Sequence, residues 1–446
     1  MTSLAVSGVI EGFYGTPWTH AQRLDMIDFI ADIGMNTYVY APKDDPMLRR
    51  QWRTLYPEAE LAALAELVDR ARSRGVRLQF AVSPGLSMRY SLAEDAAALA
   101  AKLDQVAGLG IDSFAIFLDD IPWVLQHPAD RERYAGLVEA QAAVVNPLAA
   151  SLWARYPGAQ VCVTPTQYWG HGDEQYIAAL GILLDPAIDI YWTGREICSR
   201  ELQQSDAEVF AAATGRPPLY WDNFPVNDVA MTSELHIGPY QGREAGLATT
   251  ARGIVANAMP LAEASKIALC SVADFCADPE GFDPEASWLA AIERVAGPDD
   301  APTVREFADA FRGSALCLDD APLLGDALQR FAFDFEFADR AQALVVLRAY
   351  VERLLATGDA VDRIGNTALA EEIAPWSAQY RRGLSAVLTV IDLLPAEGTG
   401  TPPSLDGESR ERVLTLLEGF RAARRRAFGD LVDMFLSDVA GEFERR

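Results

Sequence analysis

Two hydrophobic rhythms run along this chain, and they change over near residue 290. Before that point, short runs of consecutive apolar, β-branched and aromatic residues alternate with stretches in which apolar residues recur every three or four positions. The runs are Val6 to Gly12, Thr37 to Ala41, Leu78 to Ser83, Ser113 to Asp119, Gln160 to Thr166, Asp189 to Gly194, Pro218 to Asn223 and Gly253 to Asn257. A run with no polar alternation suits a strand covered on both faces, as in a parallel sheet. Between the runs, Leu24, Ile27, Ile30 and Ile33 lead up to Gly34, and Leu61, Leu64 and Leu67 lead up to Gly75, so each predicts an amphipathic helix closed by glycine. Eight strands alternating with helices predict an α/β fold, a TIM-like (β/α)8 barrel. Only the connection 224–252, after the seventh run, lacks a helical pattern, which predicts an irregular barrel there.

After Trp288 the strand signal disappears. Helical patterns cover 301–313, 320–357, 366–394 and 406–441, predicting an all-α helical-bundle domain. The expected division is a barrel over 1–290 and a helical domain over 291–446, with the apolar-poor segment 397–409 as an interhelical loop. A length of 446 residues accommodates both.

Composition narrows the partners. Sixty-four acidic against 38 basic side chains leave a net charge of −26, which repels phosphate backbones and anionic lipid, so neither nucleic acid nor a membrane surface is expected. The five cysteines lack metal-ligand spacing and an even count, so buried thiols are expected rather than disulfides or zinc. No secretory signal pattern opens the sequence and no stretch suits a bilayer span, so a cytoplasmic location is the expectation.

In a parallel barrel the chemistry sits where the strands end, because the loops leaving those ends share one mouth. The run 114–121, FAIFLDDI, carries a buried apolar strand straight into two carboxylates, Asp119 and Asp120. Neighbours on a strand face opposite ways, so both reach one pocket only if the backbone leaves the strand between them. Like charges held close would keep one carboxyl protonated, as a general acid requires. The alternative is that one aspartate caps a helix and the other meets solvent. Other strand ends supply Glu11, Tyr14, Lys43, Asp44, Asp45, Ser83, Thr166, Tyr168, Thr193, Arg195, Glu196, Asp222, Asn223, Asn227, Asp228 and Asn257. Phe13, Tyr14, Trp18, Tyr168, Trp169, Trp192 and Trp221 crowd the same loops, either as platforms for sugar rings or as core. His20, His127, His171 and His236 have no paired spacing, and no phosphate loop or nucleophile elbow is present. Lys43, inside KDD, is expected to be ion-paired and protonated rather than poised for a Schiff base.

The motifs GVIEGFYGTPW (8–18), YAPKDDP (40–46), SPGL (83–86), FLDDI (117–121), PTQY (165–168), YWDNFPVND (220–228) and VANAM (255–259) together resemble the family 84 glycoside hydrolases, the O-GlcNAcase family of β-N-acetylglucosaminidases. The resemblance covers about the first 290 residues. It implies a barrel that hydrolyses terminal β-linked N-acetylglucosamine with retention, through an oxazoline formed by the substrate's own acetamido oxygen. It further implies that Asp119 assists the acetamido group and that Asp120 serves as general acid and base. Tyr168 would hydrogen-bond near the acetamido group, Trp221 would wall its pocket, and Asp228 would hold the outer hydroxyls. Gly12, Lys43, Asn223 and Asn257 would make further sugar contacts. No metal or cofactor is implied.

The expected partner is a glycoprotein, glycopeptide or oligosaccharide bearing N-acetylglucosamine. Two alternatives stay open: a hexosaminidase acting on glycosaminoglycan or cell-wall oligosaccharides, and a non-catalytic sugar-binding barrel. The exposed faces of the C-terminal helices could support a homodimer.

Overall fold

A computed structural model describes residues 3–396 and 405–441. All eight apolar runs form strands: β1 (Val6–Ile10), β2 (Thr37–Tyr40), β3 (Arg77–Val82), β4 (Ser113–Phe117), β5 (Gln160–Thr164), β6 (Asp189–Trp192), β7 (Leu219–Asp222) and β8 (Gly253–Asn257). They pair in chain order, and β8 returns to β1 in parallel register, Val6 opposite Gly253 and Ile10 opposite Asn257, so the barrel closes. Most of the runs read from sequence extend one or two residues beyond the strands on the carboxyl side, because those residues leave the ladder to form the mouth.

Alternate residues fill the barrel. Ile10, Val39, Ala41, Ala81, Ala115, Phe117, Cys162, Tyr191, Leu219, Trp221 and Val255 make one buried cluster. The large rings come from β4, β6 and β7, and alanines at Ala81 and Ala115 leave them room. Phe117 lies 5.1 Å from Trp221, and Tyr191 lies 5.9 Å from it, centroid to centroid. The Tyr191 hydroxyl donates to Gln79 Oε1 at 2.6 Å, and Gln79 Nε2 donates to Ser113 Oγ at 3.0 Å, giving the apolar plug a hydrogen-bonded floor. Beneath it, at the amino ends of the strands, lies a cavity of 460 Å³ lined by Thr37, Gln79, Ser113, Cys162 and Asp189.

The first helix, His20–Asp32, begins in a reciprocal cap between Thr19 and Gln22. Glycines turn the chain back into the barrel at its amino end: Gly75 with φ +71°, and Gly158 with φ +89° and open space around its Cα. The connection after β7 is as irregular as its sequence suggests, with one turn of 3₁₀ helix at Val229–Met231 and a short helix at Leu247–Thr250.

The described chain forms two compact units. One contains 1–228, 241–262 and 269–283, and the other 229–240, 263–268 and 284–446. A helix at Pro284–Ala296 runs continuously through residue 290. In the second unit, the long pattern over 320–357 is two helices, Pro322–Phe337 and Arg340–Val361, broken at Ala338 and restarted by the Asp339 side chain, which caps Gln342 N at 3.1 Å. Likewise 406–441 divides into Gly407–Arg421 and Leu431–Val439. Tyr380 centres an aromatic core, 5.2 Å from Phe307 and 4.8 Å from Phe428. Glu372 accepts from the backbone N–H groups of Glu263 at 3.1 Å and Ala264 at 2.9 Å, and burial pushes its carboxyl up to about 6. Of the loop expected at 397–409, residues 397–404 lie outside the described residues, and the helix already begins at Gly407.

No disulfide joins the five cysteines, and all are buried as expected except Cys198, which is half-buried. No helix among the described residues is long and apolar enough to cross a membrane.

Candidate active site

The strand alternation that points Ala115 and Phe117 into the barrel also points Asp119 inward, where it is buried. Asp120 would then point away. It does not, because its backbone turns left-handed, with φ 53°, a conformation that aspartate tolerates better than most side chains. Both carboxylates therefore face the mouth. The Thr166 hydroxyl holds this corner by donating to the Leu118 carbonyl at 2.8 Å.

Each oxygen of the pair has a different situation. Lys43, delivered by the loop after β2, forms a buried ion pair with Asp119 Oδ2. Asp119 Oδ1 is buried and accepts no hydrogen bond. Asp120 is exposed, and both its oxygens accept from tyrosines: Tyr14 at 2.6 Å on Oδ2 and Tyr168 at 3.0 Å on Oδ1. Arg49 Nη1 donates to the Tyr14 hydroxyl oxygen at 2.7 Å, and the Tyr14 amide donates to Asp228 Oδ2 at 2.6 Å.

This arrangement corrects the expected electrostatics. The sequence predicts that two adjacent carboxylates repel and one stays protonated. Burial does push Asp120 upward, but the Lys43 charge, the Tyr14 and Tyr168 hydrogen bonds and the Arg49 charge together hold it below the usual carboxylate range. Lys43 neutralises Asp119, so the neighbour exerts little repulsion. Asp228, by contrast, is raised, because burial outweighs the Tyr14 amide and Lys43.

The far side of the mouth is a chain of amides. Asn257 Oδ1 accepts from the Gly12 amide at 3.2 Å, Asn257 Nδ2 donates to Asn223 Oδ1 at 2.9 Å, and Trp221 Nε1 donates to the same oxygen at 2.9 Å. Asn223 Nδ2 in turn reaches the Ile197 carbonyl at 2.6 Å. Gly12 is glycine for a steric reason, since a Cβ there would lie 2.5 Å from Trp221 Cζ2. The Lys43 ammonium sits 5.4 Å from the Trp221 ring and 5.6 Å from the Tyr14 ring, joining the two halves. Thus Asp119, Asp120, Gly12, Lys43, Tyr168, Trp221, Asn223, Asp228 and Asn257 form one connected set.

Glu11, Asp222, Arg195 and Asp45 are strand-end groups with structural partners. Glu11 is fully buried against Arg23, with two contacts of 2.8 Å, and also accepts from Tyr38 at 2.9 Å. Asp222 faces away to pair with Arg243 at 2.9 Å, Arg195 binds Asp206, and Asp45 accepts from Tyr40 and Tyr56. Lys43 is ion-paired as expected, though to Asp119 rather than to its KDD neighbours. Phe13, Trp18 and Trp192 belong to the core, whereas Trp169 is 40% exposed. Sequence reasoning missed Arg49 altogether and left Tyr14 among the generic strand-end groups. Arg49 lies in the irregular segment after β2, where no periodicity says which of Arg49 and Arg50 turns inward. Among the described residues no group of three or more His, Cys, Asp or Glu could hold a metal ion.

Comparisons with known proteins agree with this architecture. A family model described as beta-N-acetylglucosaminidase matches residues 7–309. The Protein O-GlcNAcase of Rattus norvegicus and that of Mus musculus are each 33% identical over 274 residues, 60% of this chain. The match spans only 29% of the length of those relatives. Among solved structures, a mutant of the Thermobaculum terrenum O-GlcNAc hydrolase superposes with a TM-score of 0.92 at 33% identity, covering 98% of this chain and 94% of that one. CpGH84B superposes at 0.84 with 26% identity, covering 98% and 77%.

Proposed function

The chain belongs to the β-N-acetylglucosaminidase family, the family 84 glycoside hydrolases, and we propose that it removes terminal β-linked N-acetylglucosamine with retention of configuration. The observation that carries the mechanism is the unequal state of Asp119: Oδ2 is taken by Lys43, while Oδ1 is buried and unpaired. An orphaned carboxylate oxygen is unfavourable by about 1–3 kcal/mol or more, and an acetamido N–H would relieve it.

In the first step the acetamido oxygen attacks the anomeric carbon while Asp119 accepts the acetamido N–H. The bond to the leaving oxygen breaks, and that oxygen takes a proton from Asp120, whose protonated form the bound sugar favours by drying the site. The product of this half is an oxazoline and the freed alcohol. In the second step Asp120 takes a proton from water, whose oxygen adds to the anomeric carbon, and Asp119 returns its proton to the nitrogen as the oxazoline reopens to the acetamide. Trp221 forms the wall of the acetamido pocket, and Tyr168 hydrogen-bonds near it. Asp228 holds the outer hydroxyls, with Gly12, Lys43, Asn223 and Asn257 completing the sugar contacts.

On this reading catalysis belongs to the barrel, 1–290 by the sequence division, and the helical region 291–446 takes no part in bond breaking. The substrate proposed is a glycoprotein or glycopeptide, acted on in the cytoplasm. A glycosaminoglycan is disfavoured by the net charge of −26. A homodimer is proposed through the helical face bearing Phe333 and Phe337, 62% and 69% exposed, and sedimentation would test it.

The decisive experiment uses aryl β-N-acetylglucosaminides with progressively fluorinated N-acetyl groups. The expected result is a steep fall in rate with each fluorine, because the weakened acetamide oxygen is the nucleophile. A rate indifferent to fluorine would remove the substrate-assisted mechanism. Sugar binding without turnover would favour the non-catalytic barrel. Comparing a glycopeptide with chitobiose separates the substrate classes.

A further inference from the structure

Resting on that reading, we propose that Arg49 is a positioning residue for the acid/base carboxylate: by donating to the Tyr14 oxygen it commits the single Tyr14 proton to Asp120, and so stabilises the ionised form of that carboxylate.

The argument is one of hydrogen-bond direction. A guanidinium can only donate, so the 2.7 Å contact from Arg49 Nη1 makes the Tyr14 oxygen an acceptor. The phenol has one proton, and its second contact is Asp120 Oδ2 at 2.6 Å. That proton therefore lies on the Asp120 side. The guanidinium also sits 5.4 Å from the Tyr14 ring centroid, and the Tyr14 backbone is pinned by Asp228, so the phenol is held at both ends. Tyr14 cannot turn its proton elsewhere without losing the Arg49 bond.

The purpose follows from the two halves of the cycle. Asp120 must give a proton and then take one back, and its surroundings pull in opposite directions. Burial and the Asp228 carboxylate favour the protonated form, whereas Lys43, Tyr14, Tyr168 and Arg49 favour the anion. A bound sugar would dry the site further and strengthen the first group. Arg49 acts against that drift. It does so without touching Asp120, and its side chain is half-buried.

The test is the pH dependence of kcat/KM for phenyl β-N-acetylglucosaminide, whose poor leaving group requires the Asp120 proton. Removing the cation and freeing the phenol both raise the proton affinity of Asp120. Arg49→Met should accordingly move the alkaline limb upward by about one pH unit, the low end of what a nearby charge does. Arg49→Lys, which keeps a donor and a charge, should restore most of the wild-type position. In a Tyr14→Phe background, Arg49→Met should add less than half of that shift. An unmoved or lowered limb, or the same shift with and without the Tyr14 hydroxyl, overturns the inference.

A second readout needs no turnover. The ¹³C resonance of the Asp120 carboxyl, assigned by its loss in Asp120→Asn, should titrate higher in Arg49→Met than in the wild type. Absence of hydrolysis by the wild-type chain would defeat the functional reading, while this titration would still decide the role of Arg49.

Discussion

At Asp120 backbone and chemistry constrain each other. The left-handed φ of 53° swings the carboxylate beside Asp119 and within reach of two tyrosine hydroxyls. Asparagine tolerates that backbone equally well, so Asp120→Asn tests chemistry rather than folding. It should slow unactivated glycosides by about 100-fold or more, the usual worth of a positioned acid, while nitrophenyl glycosides lose far less in the first step. Equal losses on both, measured as kcat/KM, would count against the acid assignment. The positions of the two aspartates were legible in FLDDI, and those of Gly12, Asn223 and Asn257 in their motifs. The charge state of Asp120 was not, because it depends on Lys43, Tyr14, Tyr168 and Arg49, which come from three other loops.

At the scale of elements, the strands were legible because each is buried on both faces and leaves an unbroken apolar run. The helices of the second unit beyond residue 300 were legible in extent but not in number, and the one at Pro284–Ala296 was not read at all. The break at Ala338 falls where the apolar pattern continues on both sides, and only the Asp339 cap marks it. Glu372 gives this scale its own test. Burial pushes its folded carboxyl up to about 6, above the ordinary value of 4.5, so the folded chain holds this proton more tightly than the unfolded one. The associated stabilisation is complete below pH 4.5 and is lost as pH rises through about 6. The change amounts to about 2 kcal/mol. Denaturant titrations across this window should show wild-type stability falling relative to Glu372→Gln as pH increases. Parallel curves would mean that the carboxyl titrates normally.

For the molecule as a whole, charge is the dominant long-range property. The chain carries a net charge of −26, and the mouth's cations Lys43 and Arg49 are occupied. At low ionic strength, glycopeptides with lysine-rich flanks should react with higher kcat/KM than acidic ones, by about 10-fold or more. The preference should largely vanish at 0.5 M salt, as the screening length drops to about 4 Å. A preference untouched by salt would point to short-range contacts instead.

The opposite end of the barrel has a different use. The groups of the site lie at or beyond the carboxyl ends of the strands, whereas Gly158 turns the chain on the other side, exposed, with nothing within 4 Å of where a side chain would begin. A fluorescent reporter or affinity handle spliced into that turn would travel with a working enzyme, since the splice changes the chain's itinerary without reaching the mouth.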